Sequence, residues 1–160
     1  MKKLYIDFDG VILDTITRLY EEAERQEYDK ADSEFYQKFN FKCILKDKYI
    51  INDGINCIQK LIDSNKFDVN ILTHCHSIKE GSDKVKYIRK FFNDITVIIC
   101  PKDISKTKMV HTEGAILVDD YAGNLKEWEN EGGIAVKFST KLNGSGFQVI
   151  DKLDQLLDLF

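Results

Sequence analysis

Short apolar runs rich in Ile and Val punctuate the chain: KLYIDF (3–8), DVNILTH (68–74), ITVIIC (95–100), AILVDD (115–120) and GIAVKF (133–138). They have the length of strands, and most are apolar at nearly every position rather than at alternate ones. That pattern fits strands covered on both faces, as in a parallel sheet sandwiched by helices. Between the runs the period changes. Ile55, Ile58, Leu61 and Ile62 recur at helical spacing over 54–65, and Val85, Ile88, Phe91 and Phe92 over 83–92. Val149, Ile150, Leu153, Leu156, Leu157 and Phe160 predict a helix at the tail. Strands alternating with helices in this way predict an α/β fold with a doubly wound, Rossmann-like parallel sheet.

One connection departs from that rhythm. Residues 9–53 separate the first strand from the helix at 54, too many for a simple crossover. The stretch TITRLYEEAERQEY is helical in character and is followed by a polar-aromatic patch, SEFYQKFNFKC. We therefore expect a single domain, 1–160, with 14–50 as a small helical cap inserted after the first strand. Phe35, Tyr36, Phe39 and Phe41 within it suit either stacking on a planar ligand or a small core; the core is the expectation, since aromatics dominate small cores.

Composition narrows the class of partner. With 43% hydrophobic and 31% charged residues the chain is an ordinary globular mixture. A formal charge of −4 leaves no basic footprint for polymeric nucleic acid. The apolar runs fall well short of the roughly 20 residues that span a bilayer, and Asp7 and Asp9 interrupt any leader-like apolar stretch, so no membrane partner is expected. Cys43, Cys57, Cys75 and Cys100 show no CxxC spacing and read as free thiols of a reducing compartment. The expected location is the cytoplasm.

In an open parallel sheet, ligands bind beyond the carboxyl ends of the strands. Asp7 and Asp9 end the first run, Thr73 the second, and Asp119 and Asp120 the fourth. Crowded carboxylates repel and are costly to desolvate. A divalent cation removes the difficulty, and all-oxygen ligation suits Mg²⁺, which keeps waters and takes phosphate oxygens. An Asp beside such an ion can attack phosphorus as a nucleophile. Asp9 is placed to protonate the leaving oxygen and then activate water, and Gly10 fits a tight turn after it.

The set DFDGV (7–11), LTH (72–74), a lysine ahead of the fourth strand and VDD (118–120) resembles the haloacid dehalogenase-like phosphohydrolase superfamily. The motifs occur in that family's order across most of the chain. The resemblance implies Asp7 as nucleophile, Asp9 as general acid/base, and Thr73 as a hydrogen-bond partner of the phosphoryl group, with Gly10 and His74 beside the substrate. It implies Mg²⁺ held by Asp7, the Asp9 backbone carbonyl and Asp119, with Asp120 in support. The family's lysine is taken as Lys108, which sits at a suitable distance before AILVDD, with Lys106 as second choice and Lys102 a third candidate. Asp at the second motif position goes with the hydrolases of the superfamily, so the implied activity is a Mg²⁺-dependent phosphomonoester hydrolase.

Within the superfamily, ILTH, DKVKYIRKFF and AILVDDYAGNLKEWENEGGIAVKF are similar to the 5'(3')-deoxyribonucleotidases, carried by Tyr87, Phe91, Phe92, Trp128, Gly132 and Gly133. That implies nucleoside monophosphates as substrates, with sugar phosphates or other small metabolites as the alternative. The chain departs from the group at His74-Cys75-His76, where Ser-Pro often follows the threonine. It departs again at Tyr121-Ala122-Gly123-Asn124, and its insertion is shorter. Readings of another class are a receiver-like phosphate-binding domain, whose acids would be allocated to the opposite strands, and a catalytically silent protein. Zinc at Thr73-His74-Cys75-His76 is disfavoured because no second ligand cluster accompanies it. Trp128 is expected to pack on the sheet, Asp14 to cap a helix, and Asn124 to serve a turn.

Overall fold

The computed structural model describes residues 1–28 and 32–160. Six strands form one all-parallel sheet: β1 (Lys2–Ile6), β2 (Phe67–Cys75), β3 (Thr96–Pro101), β4 (Ile116–Asp119), β5 (Ile134–Phe138) and β6 (Gln148–Ile150). Their order is β3-β2-β1-β4-β5-β6. The chain thus winds outward from β1 in one direction and from β4 in the other, and the reversal falls between these two central strands. The register pairs Ile6 with both Ile71 and Val118.

Side chains alternate across the sheet and feed two cores. Leu4, Ile6, Ile71, Ile116 and Val118 face one side, where helices α1 (Thr15–Arg25), α3 (Gly54–Asp63) and α4 (Ile78–Arg89) contribute Leu19, Ala23, Ile58, Leu61 and Ile88. Tyr5, Leu72 and Leu117 face the other, covered by Leu125 and Trp128 of α5 (Ala122–Asn130). Trp128 packs there as expected, its indole N–H donating to the Ala115 carbonyl at 2.9 Å and its ring meeting Tyr5 edge-on. Helix α4 approaches the sheet closely at Gly81, where a Cβ would stand 2.8 Å from Ile99.

The tail differs from the expected helix. Val149 and Ile150 belong to β6, and helical geometry begins only with a 3₁₀ turn at Leu153–Gln155 and the short α6 (Leu156–Leu159). A three-residue edge strand offers no period of its own, so its apolar residues merged with the helical repeat that follows.

The long connection leaves and rejoins the fold at one place. Leu13 bridges Ile50 in antiparallel fashion, and the Asp14 amide donates to the Tyr49 carbonyl at 2.9 Å. Between them lie α1, α2 (Ser33–Lys38) and 3₁₀ turns at Phe41–Cys43 and Asp47–Tyr49. Asp14 does occupy the N-cap of α1, but its side chain makes no capping bond; it pairs with Arg18 instead. Phe35, Phe39 and Phe41 are buried in the core shared with the sheet. Tyr36 is half out of it.

Candidate active site

Beyond the last β1–β4 ladder pair the two strands stay joined, because the Asp7 amide donates to the Val118 carbonyl at 2.9 Å. The chain then turns within a few residues. The amides of Val11, Ile12 and Leu13 converge on the Phe8 carbonyl, and Gly10 donates to the Leu13 carbonyl at 2.8 Å. Phe8, Val11, Ile12 and Leu13 are fully buried and pin this turn in place. Gly10 has a φ of +76°, and a Cβ on it would lie 2.2 Å from an Asp120 carboxylate oxygen. Glycine is required there both by backbone geometry and by the acid pressed against it.

Asp7, Asp119 and Asp120 each bring one carboxylate oxygen within 4.8 Å of the others, and among the described residues they form the one group of this kind. The side chain of Lys106 stands between two of them, Nζ donating to Asp7 Oδ1 at 2.8 Å and Asp119 Oδ2 at 2.6 Å. Asp119 also accepts from the Tyr121 amide and from Asn124 Nδ2, each at 2.9 Å. Asn124 therefore does more than serve a turn. Burial, then the neighbouring Asp119, pushes the Asp7 carboxyl well above its ordinary range in spite of Lys106. Burial, followed by Asp119 and Asp9, pushes Asp120 up to about 7. Burial disfavours the Lys106 ammonium, but Asp7 and Asp119 outweigh it and raise its pKa.

Three crowded carboxylates thus have one ammonium, paired with two of them, in a place where charge is expensive. The donor set is all oxygen, crowded and short of positive charge, which fits Mg²⁺. The Asp9 carboxylate lies outside this group. Thr15 Oγ1 donates to its Oδ1 at 2.5 Å, and Lys84 Nζ donates to its Oδ2 at 2.6 Å.

The structure places the two candidate lysines differently. Residues Lys106–Lys108 form a single 3₁₀ turn whose N-cap is Ser105. That turn directs Lys106 inward and leaves Lys108 on the surface, its side chain 69% exposed and 4.0 Å from Glu131. Thr73 is fully buried; its hydroxyl accepts from Lys84 at 3.2 Å and does not line the cavity over the acids. Gly10 lines a second, polar groove that Asp120 also borders. His74 does line the cavity, with Nε2 2.8 Å from the Ile104 carbonyl, and burial lowers its pKa. His76 is taken up by Glu80, 3.0 Å from Nδ1, and burial pushes the Cys75 thiol up. No zinc-like cluster forms from that run among the described residues.

A buried ion pair beside the site was not anticipated: Lys84 and Glu80, 2.7 Å apart within α4. Their four-residue spacing was visible in the sequence, but such pairs are ordinarily solvated, and nothing in the spacing marked this one as buried.

The acids floor a cavity of about 350 Å³, within the range of small-molecule sites. One wall comes from the excursion after β1, with Ile16, Leu19, Tyr20, Tyr36 and Ile44; the facing wall includes His74, Lys102, Tyr121 and Asn124.

Neither a protein-family model nor a curated protein sequence matches the chain. Solved structures do. A hydrolase from Pseudomonas syringae aligns over 99% of this chain and 98% of its own, with TM-score 0.64 and 15% identity. The D,D-heptose 1,7-bisphosphate phosphatase from B. bronchiseptica, solved with magnesium and phosphate, aligns over 100% of both chains with TM-score 0.56 and 15% identity. A HAD-superfamily hydrolase from Ehrlichia chaffeensis aligns over 99% and 97% with TM-score 0.57 and 12% identity. The chain has the fold of the HAD-superfamily hydrolases. In this fold the Asp7–Asp119–Asp120 group stands at the reversal between β1 and β4, where an open α/β sheet takes its ligands.

Proposed function

We propose that the protein is a Mg²⁺-dependent phosphomonoester hydrolase working through an aspartyl-phosphate, with nucleoside monophosphates, deoxy forms included, as its substrates. The observation that carries this reading is the meeting of Asp7, Asp119, Asp120 and Lys106 at the sheet reversal, open to a cavity of small-molecule size. Asp7, Asp119 and Asp120 would hold Mg²⁺, which supplies charge neutralisation for an anionic nucleophile approaching an anionic ester.

In the first step an Asp7 oxygen attacks phosphorus, the bond from phosphorus to the ester oxygen breaks, and that oxygen takes its electron pair and a proton from Asp9. In the second step Asp9 takes a proton from water, the water oxygen attacks phosphorus, and the bond to Asp7 breaks. The sum is ester plus water giving alcohol plus phosphate. Lys106 offsets charge on the attacking carboxylate and the transferring oxygens. Tyr20, Tyr36 and Tyr121 on the cavity walls supply flat faces against which a nucleobase would lie.

A second reading keeps the chemistry and changes the leaving group to a sugar. It is favoured by the full-length likeness to a heptose bisphosphate phosphatase. Phosphate release from a panel of nucleoside monophosphates and sugar phosphates, with Mg²⁺ and with chelator, tests both. Metal-dependent release with preference for deoxynucleotides is expected. Preference for sugar phosphates would transfer the assignment to the second reading, and absence of release from every ester would remove the phosphohydrolase.

A further inference from the structure

Resting on the reading above, we infer that Glu80 is a positioning residue for this chemistry: through Lys84 it fixes the Asp9 carboxylate toward the leaving-group oxygen. Lys84 reaches from the middle of α4 with its side chain 1% exposed. Its Nζ lies 2.6 Å from Asp9 Oδ2, 2.7 Å from Glu80 Oε2, 3.1 Å from the His74 carbonyl and 3.2 Å from Thr73 Oγ1. An ammonium has three N–H bonds, so these four oxygens saturate it. Two of the four are carboxylates, and together with the two neutral oxygens they hold the ammonium in one location. Glu80 is itself held. Its Oε1 accepts from the His76 amide at 3.1 Å and lies 3.0 Å from His76 Nδ1. The His76 ring in turn lies flat on Tyr36, centroids 3.5 Å apart and planes 3° from parallel.

The contacts therefore run without a gap from Tyr36, in the excursion after β1, to Asp9. Thr15 holds the other Asp9 oxygen, so both are fixed by groups that make no contact with the Asp7–Asp119 pair. Tyr36, His76, Glu80 and Asp9 all line the cavity, which places the leaving group against this set. A buried ion pair is no requirement for stability, since well-packed apolar residues often serve as well. Its position beside the acid that protonates the leaving oxygen is what calls for a charged pair.

The test varies how much the leaving oxygen needs a proton. A nitrophenolate departs unaided, whereas the alkoxide of a sugar or nucleoside does not. The quantity to compare is kcat/KM, which spans binding through departure of the leaving group and omits the later attack of water. In Glu80→Gln, kcat/KM for the alkyl phosphate the wild type cleaves fastest should fall roughly tenfold or more. For p-nitrophenyl phosphate it should fall about twofold at most. Equal losses on both esters, or none on either, overturn the inference while leaving the hydrolase standing. If the wild type cleaves neither ester, the hydrolase reading falls and takes this inference with it. Should Glu80→Gln not fold by circular dichroism, Glu80→Gln/Lys84→Met removes both charges together, a change that buried pairs tolerate. The same contrast between esters is then expected and the same outcomes overturn it.

Discussion

At the scale of single residues the two lysines of one turn carry the sharpest contrast. Lys106 is enclosed by Asp7 and Asp119, whereas Lys108, two residues on, is solvated. Counting back from the fourth strand favoured Lys108, because distance along the chain says nothing about which way a 3₁₀ turn aims its side chains. The acids themselves were legible, since each stands where an apolar run stops. Asp7 and Asp119 are buried ionisable groups at strand ends, a placement a sequence pattern reports directly. The burial of Lys84 was not legible, because three of the four oxygens that hold it come from outside its helix, from Asp9, Thr73 and His74. If Lys106 offsets charge in the transferring phosphoryl group, Lys106→Met should lower kcat by roughly 100-fold or more. Lys108→Met should stay within about twofold of wild type, a surface change far from the cavity. Steady-state rates on the best substrate, with circular dichroism to confirm folding, decide this. The reverse ranking would favour Lys108.

Among the elements, the strands that pass through both cores announced themselves and β6 did not, for a reason that is physical rather than statistical. A strand covered on two faces must be apolar throughout, but a three-residue edge strand owes its place to β5 and has too few side chains to declare a period. Helix α4 shows the converse. Its buried face includes Glu80, Gly81, Asp83 and Lys84 as well as Tyr87 and Ile88, so part of its hold on the sheet is ionic. That gives it a distinct acid response. Burial alone would raise the Glu80 carboxyl, but His76 and Lys84 outweigh it and lower it to about 2. A carboxylate depressed on folding contributes stability that is complete above its ordinary range near 4.5 and disappears as pH falls through about 2. Wild type should therefore melt above Glu80→Gln at neutral pH, and the gap should close as pH falls from about 4.5 toward about 2. Thermal melts of the two proteins across that window provide the check. A gap unchanged at low pH would mean that the charge of Glu80 contributes nothing to the anchoring of α4.

For the molecule as a whole, the sheet reversal between β1 and β4 brings acids from two strands to one point and sets a conflict there that a cation would resolve. Asp7 and Asp120 both have carboxyls raised by burial and by each other's neighbours, Asp120 to about 7. A group that binds protons more tightly in the folded state makes the metal-free fold less stable as pH rises from its ordinary value through its folded one. For Asp120 that window runs from 3.8 to about 7. A divalent ion competes with those same protons, so its affinity must increase over the same span. The expected result is a rise in Tm on adding Mg²⁺ in place of chelator that is larger at about pH 8 than at about pH 5.5. At a hundredfold excess over Kd, mass action is worth about 2.7 kcal/mol. Each kcal/mol moves Tm by roughly 2–4 °C for a chain of this size, so a shift of several degrees should be visible at the higher pH. Asp119→Asn, which takes a carboxylate from the centre of the group, should lose most of it. An increment that does not depend on pH, or that survives this substitution, would mean that Mg²⁺ acts elsewhere on the protein and would take the metal away from the Asp7–Asp119–Asp120 group.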